Sequence, residues 1–353
     1  MRVAFFPSVE EHTGNPYWAL LRDGLQAQGV RVMRSSEAEL SMAWLIRNRA
    51  RVDVLHFHFV QQFYAYNTHY ARLRWVLRFA RNMVAARALG YRTVFTLHDL
   101  TPTYPLKPQW VDYLGHLLAV QLTNSVIVMC QEARRLLAQR YGRRAGVAIV
   151  PHPHFMDSYA NTIDRAAARQ RLQLEPIEQV ILFLGGVRQN KGIEQLLEAF
   201  GQLHGSHLRL MVVGGTHTEL DAPYMAQVRT LASRDPRVRL DPRYIPDDEI
   251  QVFMNAADLV VIPFTRILNS GSAMLAMSFG KAVVVPELGC LPELLGNDAG
   301  FLYDSDRPNA LLRTIQRALA DDLTAVGERA RTRVKTFSSQ SHALQTLRVY
   351  GQF

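Results

Sequence analysis

Short apolar runs alternate with longer amphipathic stretches along most of the chain. This is the pattern of a parallel α/β protein, in which each buried strand feeds a helix. The first half carries RVAFF, VDVLHFH, RTVFTLH, SVIVM and VAIVP; the second carries QVILFLGG, LRLMVVGG, VRL, DLVVIPF and KAVVVP. Between them, Met156 to Gln179 is polar and helix-prone. That break predicts two Rossmann-like domains facing across a cleft, residues 1–160 and 175–337, with a helix over about 338–353 packing back on the first. The length agrees, because 353 residues exceed one typical core of about 100 to 200.

Open α/β sheets bind ligands beyond the C-terminal ends of their strands. In the first half those ends carry His56 and His58, His98 and Asp99, then His152 and His154. In the second they carry Gly185-Gly186, Gly214-Gly215, Pro263-Phe264 and Pro286-Glu287. Imidazoles and a carboxylate on one domain, with glycines and nearby cations on the other, predict divided labour. One domain would meet an acceptor; the other would hold a phosphorylated donor.

The stretch FLGGVRQNKGIEQLLEAF carries the donor side of that expectation. Ile193, Leu196, Leu197 and Phe200 fall at helical spacing, so a helix begins near Gly192. Its N-terminus offers unpaired N–H groups and a positive dipole end. Gly186 allows a close turn, while Arg188 and Lys191 add full charges. No Walker or dinucleotide fingerprint is present. A second loop, Asn269-Ser270-Gly271-Ser272, opens an apolar helix that closes at Phe279-Gly280. Its amides and hydroxyls form another anion cradle, although Ser270 or Ser272 also suits a plain N-cap. Two cradles fit a diphosphate better than a single phosphate. Tyr244 and Ile245, in a short loop between these segments, are placed to meet a nucleobase.

Composition narrows the class. Hydrophobic residues make up 48% and charged residues 20%, an ordinary globular balance. Two cysteines give neither a disulfide framework nor metal-ligand spacing, which fits a reducing cytoplasm. The N-terminus does not read as a signal peptide, and no apolar run approaches a membrane span of about 20 residues. The net charge of +9 is locally concentrated in His69 to Arg92. There Leu73, Val76, Leu77, Ala80, Met83 and Val84 follow helical spacing, with Arg74, Arg78 and Arg81 on another face. Such a helix is either a domain helix with a solvated arginine face or one resting on an anionic membrane. No nucleic-acid-binding motif accompanies the charge.

The combined motifs resemble a known family. The K-G-x-x-x-L-L-x-A-F run from Lys191, the PDDEIQVFMNAADLVVIPF stretch and the FGKAVVVP ending look like the donor domain of GT-B glycosyltransferases. FLGGVRQNKG and ILNSGSAMLAMSFGKAVVVP resemble more closely the branch of xanthan-type GDP-mannose:glycolipid β-1,4-mannosyltransferases. So do Asn15-Pro16-Tyr17, VLHFH, TLHDLTP and the P-H-x-H-x-x-D run from Pro151 to Asp157. The resemblance implies an inverting, metal-independent transfer of mannose from GDP-mannose to a lipid-linked oligosaccharide, in exopolysaccharide or cell-surface polysaccharide synthesis. It implies a peripheral enzyme on the inner face of the cell membrane, with no cofactor beyond the nucleotide sugar. Retaining relatives carry two glutamates where Ile267 and Leu275 stand here, and that departure fits the inverting reading.

An inverting transfer needs a base for the acceptor hydroxyl. Asp99 beside His98, Asp157 after PHPH, and Glu10 or Glu11 are the candidates. Acceptor contacts are expected from Asn15, Tyr17, His56, His58, His152 and His154, the histidines being alternatively satisfied strand-end residues. The Asp304-Ser305-Asp306 run reads as a surface loop rather than a metal site. Other readings are a UDP- or dTDP-sugar donor, a GT-B epimerase or phosphorylase, and a catalytically silent glycosyltransferase-like subunit kept for partner binding.

Overall fold

A computed structural model describes residues 1–7, 15–33, 40–67, 70–102 and 104–351. Glu10, Glu11 and His69 lie outside the described residues. The chain forms two compact units, Met1–Pro153 with Phe337–Phe353, and His154–Thr336. His154 and Asp157 thus belong to the second unit.

In the first unit the strands are β1 (Arg2–Phe6), β2 (Arg31–Met33) and β3 (Val54–Phe57), then β4 (Ala65–Asn67) and β5 (Tyr70–Ala71), and finally β6 (Arg92–Thr96), β7 (Ser125–Val128) and β8 (Val147–Ile149). Six of them form a parallel sheet in the order β2-β1-β3-β6-β7-β8; β4 and β5 make a separate antiparallel pair. The second unit has β9 (Gln179–Leu184), β10 (Leu208–Val213), β11 (Val238–Asp241), β12 (Leu259–Val261), β13 (Ala282–Pro286) and β14 (Phe301–Tyr303). Their order is β11-β10-β9-β12-β13-β14, again all parallel. Chain order reverses between β1 and β3 in one sheet and between β9 and β12 in the other. Those are the switch points at which such sheets open a ligand crevice.

The apolar runs map onto the central strands for a simple reason. A parallel strand covered on both faces must be apolar throughout, and β3 and β7 are buried at every position. The edge strand β2 and the short β14, by contrast, are missed by the run pattern. β2 has no buried residue, and β14 alternates. The closing helix Ser339–Gly351 packs within the first unit on the helix Pro16–Ala27. Gly24 gives it room, since a Cβ there would lie 2.8 Å from the Cβ of Ala343.

One amphipathic assignment needs correction. The basic helix spans Leu73–Ala88 and buries Val76, Phe79, Asn82, Met83 and Ala86. Leu73, Leu77 and Val84 are instead 41%, 56% and 54% exposed. Asn82 anchors the inward face by donating to the Leu40 carbonyl at 2.8 Å. Apolar residues occupy two stripes, so periodicity alone chose the wrong register.

In the second unit the helix Gly271–Ser278 ends at Phe279, and Gly280 takes the left-handed conformation at φ +69°. Helix Leu323–Val334 approaches that turn so closely that a Cβ on Gly327 would sit 2.0 Å from the Gly280 carbonyl oxygen. Gly327→Ala must therefore push a helix off the sheet. We expect a loss of about 1–3 kcal/mol in urea unfolding, as for other overpacked sites; a change within error would show that the helix moves freely.

Candidate functional site

Strand β9 delivers the chain to Gly185, whose N–H donates to the Val213 carbonyl at 3.0 Å. A Cβ on Gly185 would meet Ser272 Oγ at 3.4 Å and Lys191 Nζ at 3.9 Å. The two expected cradles therefore converge on one glycine. A 3-10 turn at Gln189–Lys191 precedes the helix Ile193–Gly201. Burial of Ile193, Leu196, Leu197 and Phe200 fixes that helix, each side chain contributing about 1.5–3 kcal/mol. The turn is held as well. Thr265 N–H donates to the Asn190 carbonyl at 3.0 Å, and Gly192 (φ +62°) packs so that a Cβ would lie 2.1 Å from the Pro263 carbonyl oxygen.

The helix end differs from expectation in what it offers. The Ile193 N–H donates to the Tyr224 hydroxyl at 2.9 Å, and that hydroxyl donates to Glu194. One of the orphan donors is thus already satisfied, so this end presents cations more than amides. Lys191 is only 6% exposed, with Nζ 4.4 Å from the Phe264 ring centroid. Arg188 is half-buried, and its buried Nε has no hydrogen-bond partner among the described residues.

On the other side, Ser270 caps the helix Gly271–Ser278, its Oγ accepting from Ala273 N–H at 3.0 Å. Ser270 is thereby a cap, and Gly271 and Ser272 carry first-turn N–H groups that helix geometry leaves without intrahelical acceptors. Asn269 is half-buried beside them. Tyr244 is 69% exposed and Ile245 is buried. The backbone at Arg243–Tyr244 reaches this end of the sheet, because a Cβ on Gly215 would lie 3.1 Å from Tyr244 N.

A residue that the pattern gave no reason to single out, His217, completes this end of the unit. It is exposed, in the loop after β10. Partial burial, Arg188 and Lys191 lower its pKa, with Asp221 opposing between the two cations.

The first unit gathers four of its histidines round one phenol. Tyr17 is 1% exposed; its ring lies 5.0 Å from that of His98, 5.2 Å from His152, 5.4 Å from His342 and 6.0 Å from His58. His58 Nδ1 and His98 Nε2 are 3.0 Å apart, and the pair shares one proton as donor and acceptor. His56 is fully buried, with Nδ1 2.7 Å from the Tyr350 hydroxyl and Nε2 2.7 Å from Thr96 Oγ1. An acceptor contact through His56 is therefore corrected to a core role: both ring nitrogens are spent and no solvent reaches them. The same holds for the sealed Tyr17 side chain. Asn15, exposed, accepts from Tyr17 N–H at 3.1 Å as an N-cap. His98 and Asp99 stay half-buried beyond β6. In the second unit, His154 Nδ1 accepts from Met156 N–H at 3.3 Å, and Asp157 is exposed.

Known proteins bear on the second unit directly. Residues 178–321 match the family described as glycosyl transferases group 1. That segment is a glycosyltransferase group 1 domain. The GDP-mannose:glycolipid 4-beta-D-mannosyltransferase of Xanthomonas campestris pv. campestris is 27% identical over 328 residues, covering 88% of this chain and 83% of that one. A D-inositol 3-phosphate glycosyltransferase of Corynebacterium efficiens is 30% identical over 202 residues, 54% of this chain and 47% of the relative. Among solved structures, sucrose-phosphate synthase from Thermosynechococcus elongatus superposes with a TM-score of 0.78 at 18% identity, over 100% and 98% of the chains. Anabaena HepE, solved with UDP and glucose, gives 0.76 at 17% over 100% of both. The architecture is thus GT-B. Within the glycosyltransferase domain, Leu275 is buried at 6% exposure and Ile267 is half-buried.

Buried imidazoles should make the first unit acid-sensitive. Burial lowers His342 and His152 to about 4 and His56 well below its ordinary value. The unfolded chain binds these protons near pH 6.5 and the folded chain does not, so stability is present above pH 6.5 and lost as pH falls towards 4. We expect on the order of 3 kcal/mol lost by pH 4 through His342 alone. His342 donates through Nδ1 to the Pro151 carbonyl at 2.7 Å, so His342→Gln should flatten the slope. A stability flat between pH 7 and 4.5 would overturn the assignment.

Proposed function

We propose that the chain is an inverting glycosyltransferase that transfers mannose from GDP-mannose to a lipid-linked oligosaccharide of a cell-surface polysaccharide. One observation carries the donor part: Lys191 Nζ and Ser272 Oγ converge on Gly185 at the switch point of a glycosyltransferase group 1 domain. Arg188, Lys191 and the Asn269–Ser272 loop hold the diphosphate, Gly186 lets it approach, and Tyr244 and Ile245 flank the base. Charge gathers on the departing diphosphate in the transition state, and fixed cations stabilise it without reorganising. They take the part a divalent metal plays elsewhere, so activity should survive chelation. Mannose and a glycolipid acceptor rest on the name of the Xanthomonas relative. His98, Asp99 and Asp157 are the described candidates for the base.

The test is calorimetric binding of GDP, UDP and dTDP to wild type and to Arg188→Ala/Lys191→Ala. Two charge-assisted hydrogen bonds at about 1.5–3 kcal/mol each make the double variant at least a hundredfold weaker. Selective GDP binding supports the mannose donor, whereas preference for UDP or dTDP moves the donor and keeps the site. With no nucleotide bound at millimolar concentration, a silent partner subunit becomes the reading. Product anomeric configuration, read by NMR, decides inversion.

The exposed face of helix Leu73–Ala88 supports a peripheral site on the inner leaflet. Leu73, Leu77 and Val84 stand out among exposed Arg74, Arg78 and Arg81, and the helix carries no acidic residue. Arg78 and Arg74 lie over the Trp75 ring at 4.8 and 5.5 Å. Trp110, 60% exposed, starts the neighbouring helix Gln109–Leu122. Each arginine near an anionic surface contributes about 1 kcal/mol. Wild type should co-sediment with vesicles rich in anionic lipid and not with neutral ones, and Leu73→Glu/Leu77→Glu or Arg74→Glu/Arg78→Glu should release it. Equal binding by these variants would remove the helix from the membrane reading.

A further inference from the structure

His217 stands over the glycine turn after β9. A Cβ on Gly186 would lie 2.3 Å from its Nε2 and 2.5 Å from its Cδ2, so the imidazole occupies space that only a glycine leaves. Three constraints fix it there. Val187 N–H donates to the Gly215 carbonyl at 2.9 Å, tying the loop after β9 to the loop after β10. His217 and Thr218 N–H both donate to Asp221 Oδ2 at 3.3 Å, within the capping box of the 3-10 turn Glu219–Asp221. The Arg243–Tyr244 backbone closes against Gly215 from the other side. The backbone is held while the ring stays exposed.

We propose that His217 is a donor-binding residue whose imidazole takes up a proton and contacts the diphosphate when a nucleotide sugar binds. The proposal rests on the donor-site reading above.

The charges around the ring decide the direction. Arg188 and Lys191 face it from the turn after β9, and Asp221 faces it from its own loop. Arg243, on the loop beyond β11, is neutralised by Asp241 at 3.1 Å and Glu249 at 2.5 Å. Without a ligand, two cations and partial burial oppose a third positive charge, and one carboxylate does not balance them. A diphosphate inverts that field, because an opposite charge within a few ångströms favours the charged imidazole. Protonation and binding are then linked: the donor binds more tightly as pH falls through the interval between the free and bound pKa values. Above that interval the neutral ring adds little.

The experiment is calorimetry of GDP-mannose and UDP-glucose with the full chain at pH 6, 7 and 8, in buffers of different ionisation enthalpy. A pyrophosphate diester carries no proton that titrates near neutrality, so uptake reports the protein. For whichever sugar nucleotide binds, we expect net proton uptake near pH 6 to 7. His217→Gln should abolish the uptake and bind about tenfold more weakly at pH 6, with the gap narrowing towards pH 8. His217→Lys should bind without uptake and without that pH dependence. The ring is exposed, so both variants should keep the wild-type melting temperature. Unchanged affinity and unchanged uptake in His217→Gln overturn the proposal while leaving the donor site standing. Wild-type affinity in Arg188→Ala/Lys191→Ala, or no binding by wild type, sinks the donor reading and this inference with it.

Discussion

Backbone meeting backbone without side chains between them is the constraint on which the second unit depends. A Cβ on Gly214 would lie 2.1 Å from the Gly185 carbonyl oxygen, one on Gly192 2.1 Å from that of Pro263, and one on Gly289 2.5 Å from that of Leu268. All three have positive φ, a region that side chains rarely enter. These contacts lock the loops after β9, β10, β12 and β13 into one another. The cations and the helix start reach a common point because the loops carrying them cannot drift apart. Preorganisation of this kind matters for a charged ligand, since groups already in place do not have to be gathered when it arrives.

The first unit solves a different problem. Its strand ends carry histidines, which are polar, and the fold seals His56 and His58 away, satisfying both nitrogens of His56 internally. Tyr350 and Thr96 take both nitrogens of His56, and the Pro151 carbonyl takes one from His342. Such a network is inexpensive only while the imidazoles stay neutral. It explains why a histidine at a strand end is weak evidence of an exposed contact: the same position is the nearest place for the closing helix, which carries His342 and Tyr350, to make a polar contact with the sheet.

Central strands and the glycine-rich turns were readable because local sequence determines them. A continuous apolar run has few alternatives to a doubly covered strand, and Gly185-Gly186 followed by an amphipathic helix has few alternatives to a tight strand–helix turn. What escaped the reading was set by partners distant in the chain. Tyr224 satisfies the Ile193 N–H from another helix. His217 sits in THTEL, which reads as a polar loop until β10 is placed beside β9. The Leu73–Ala88 helix has apolar residues on two faces, and only its packing shows that Val76, Phe79 and Met83 turn inward. Edge strand β2, three residues long, carries too little burial to leave a pattern.

The apolar residues at Ile267 and Leu275 acquire a physical meaning beside this geometry. Under the proposed donor reading, a carboxylate at either position would hold a sugar or ribose hydroxyl, and it would also offset the field of Arg188 and Lys191. Leu275 is instead buried in a helix whose first turn abuts the Gly185 turn through Ser272. Apolar packing lowers the local polarisability there, and charge interactions strengthen as the effective dielectric falls. On the proposed donor reading, the apolar residues and the cations are thus two sides of one arrangement, in which a bound diphosphate would supply the negative charge that the protein leaves out.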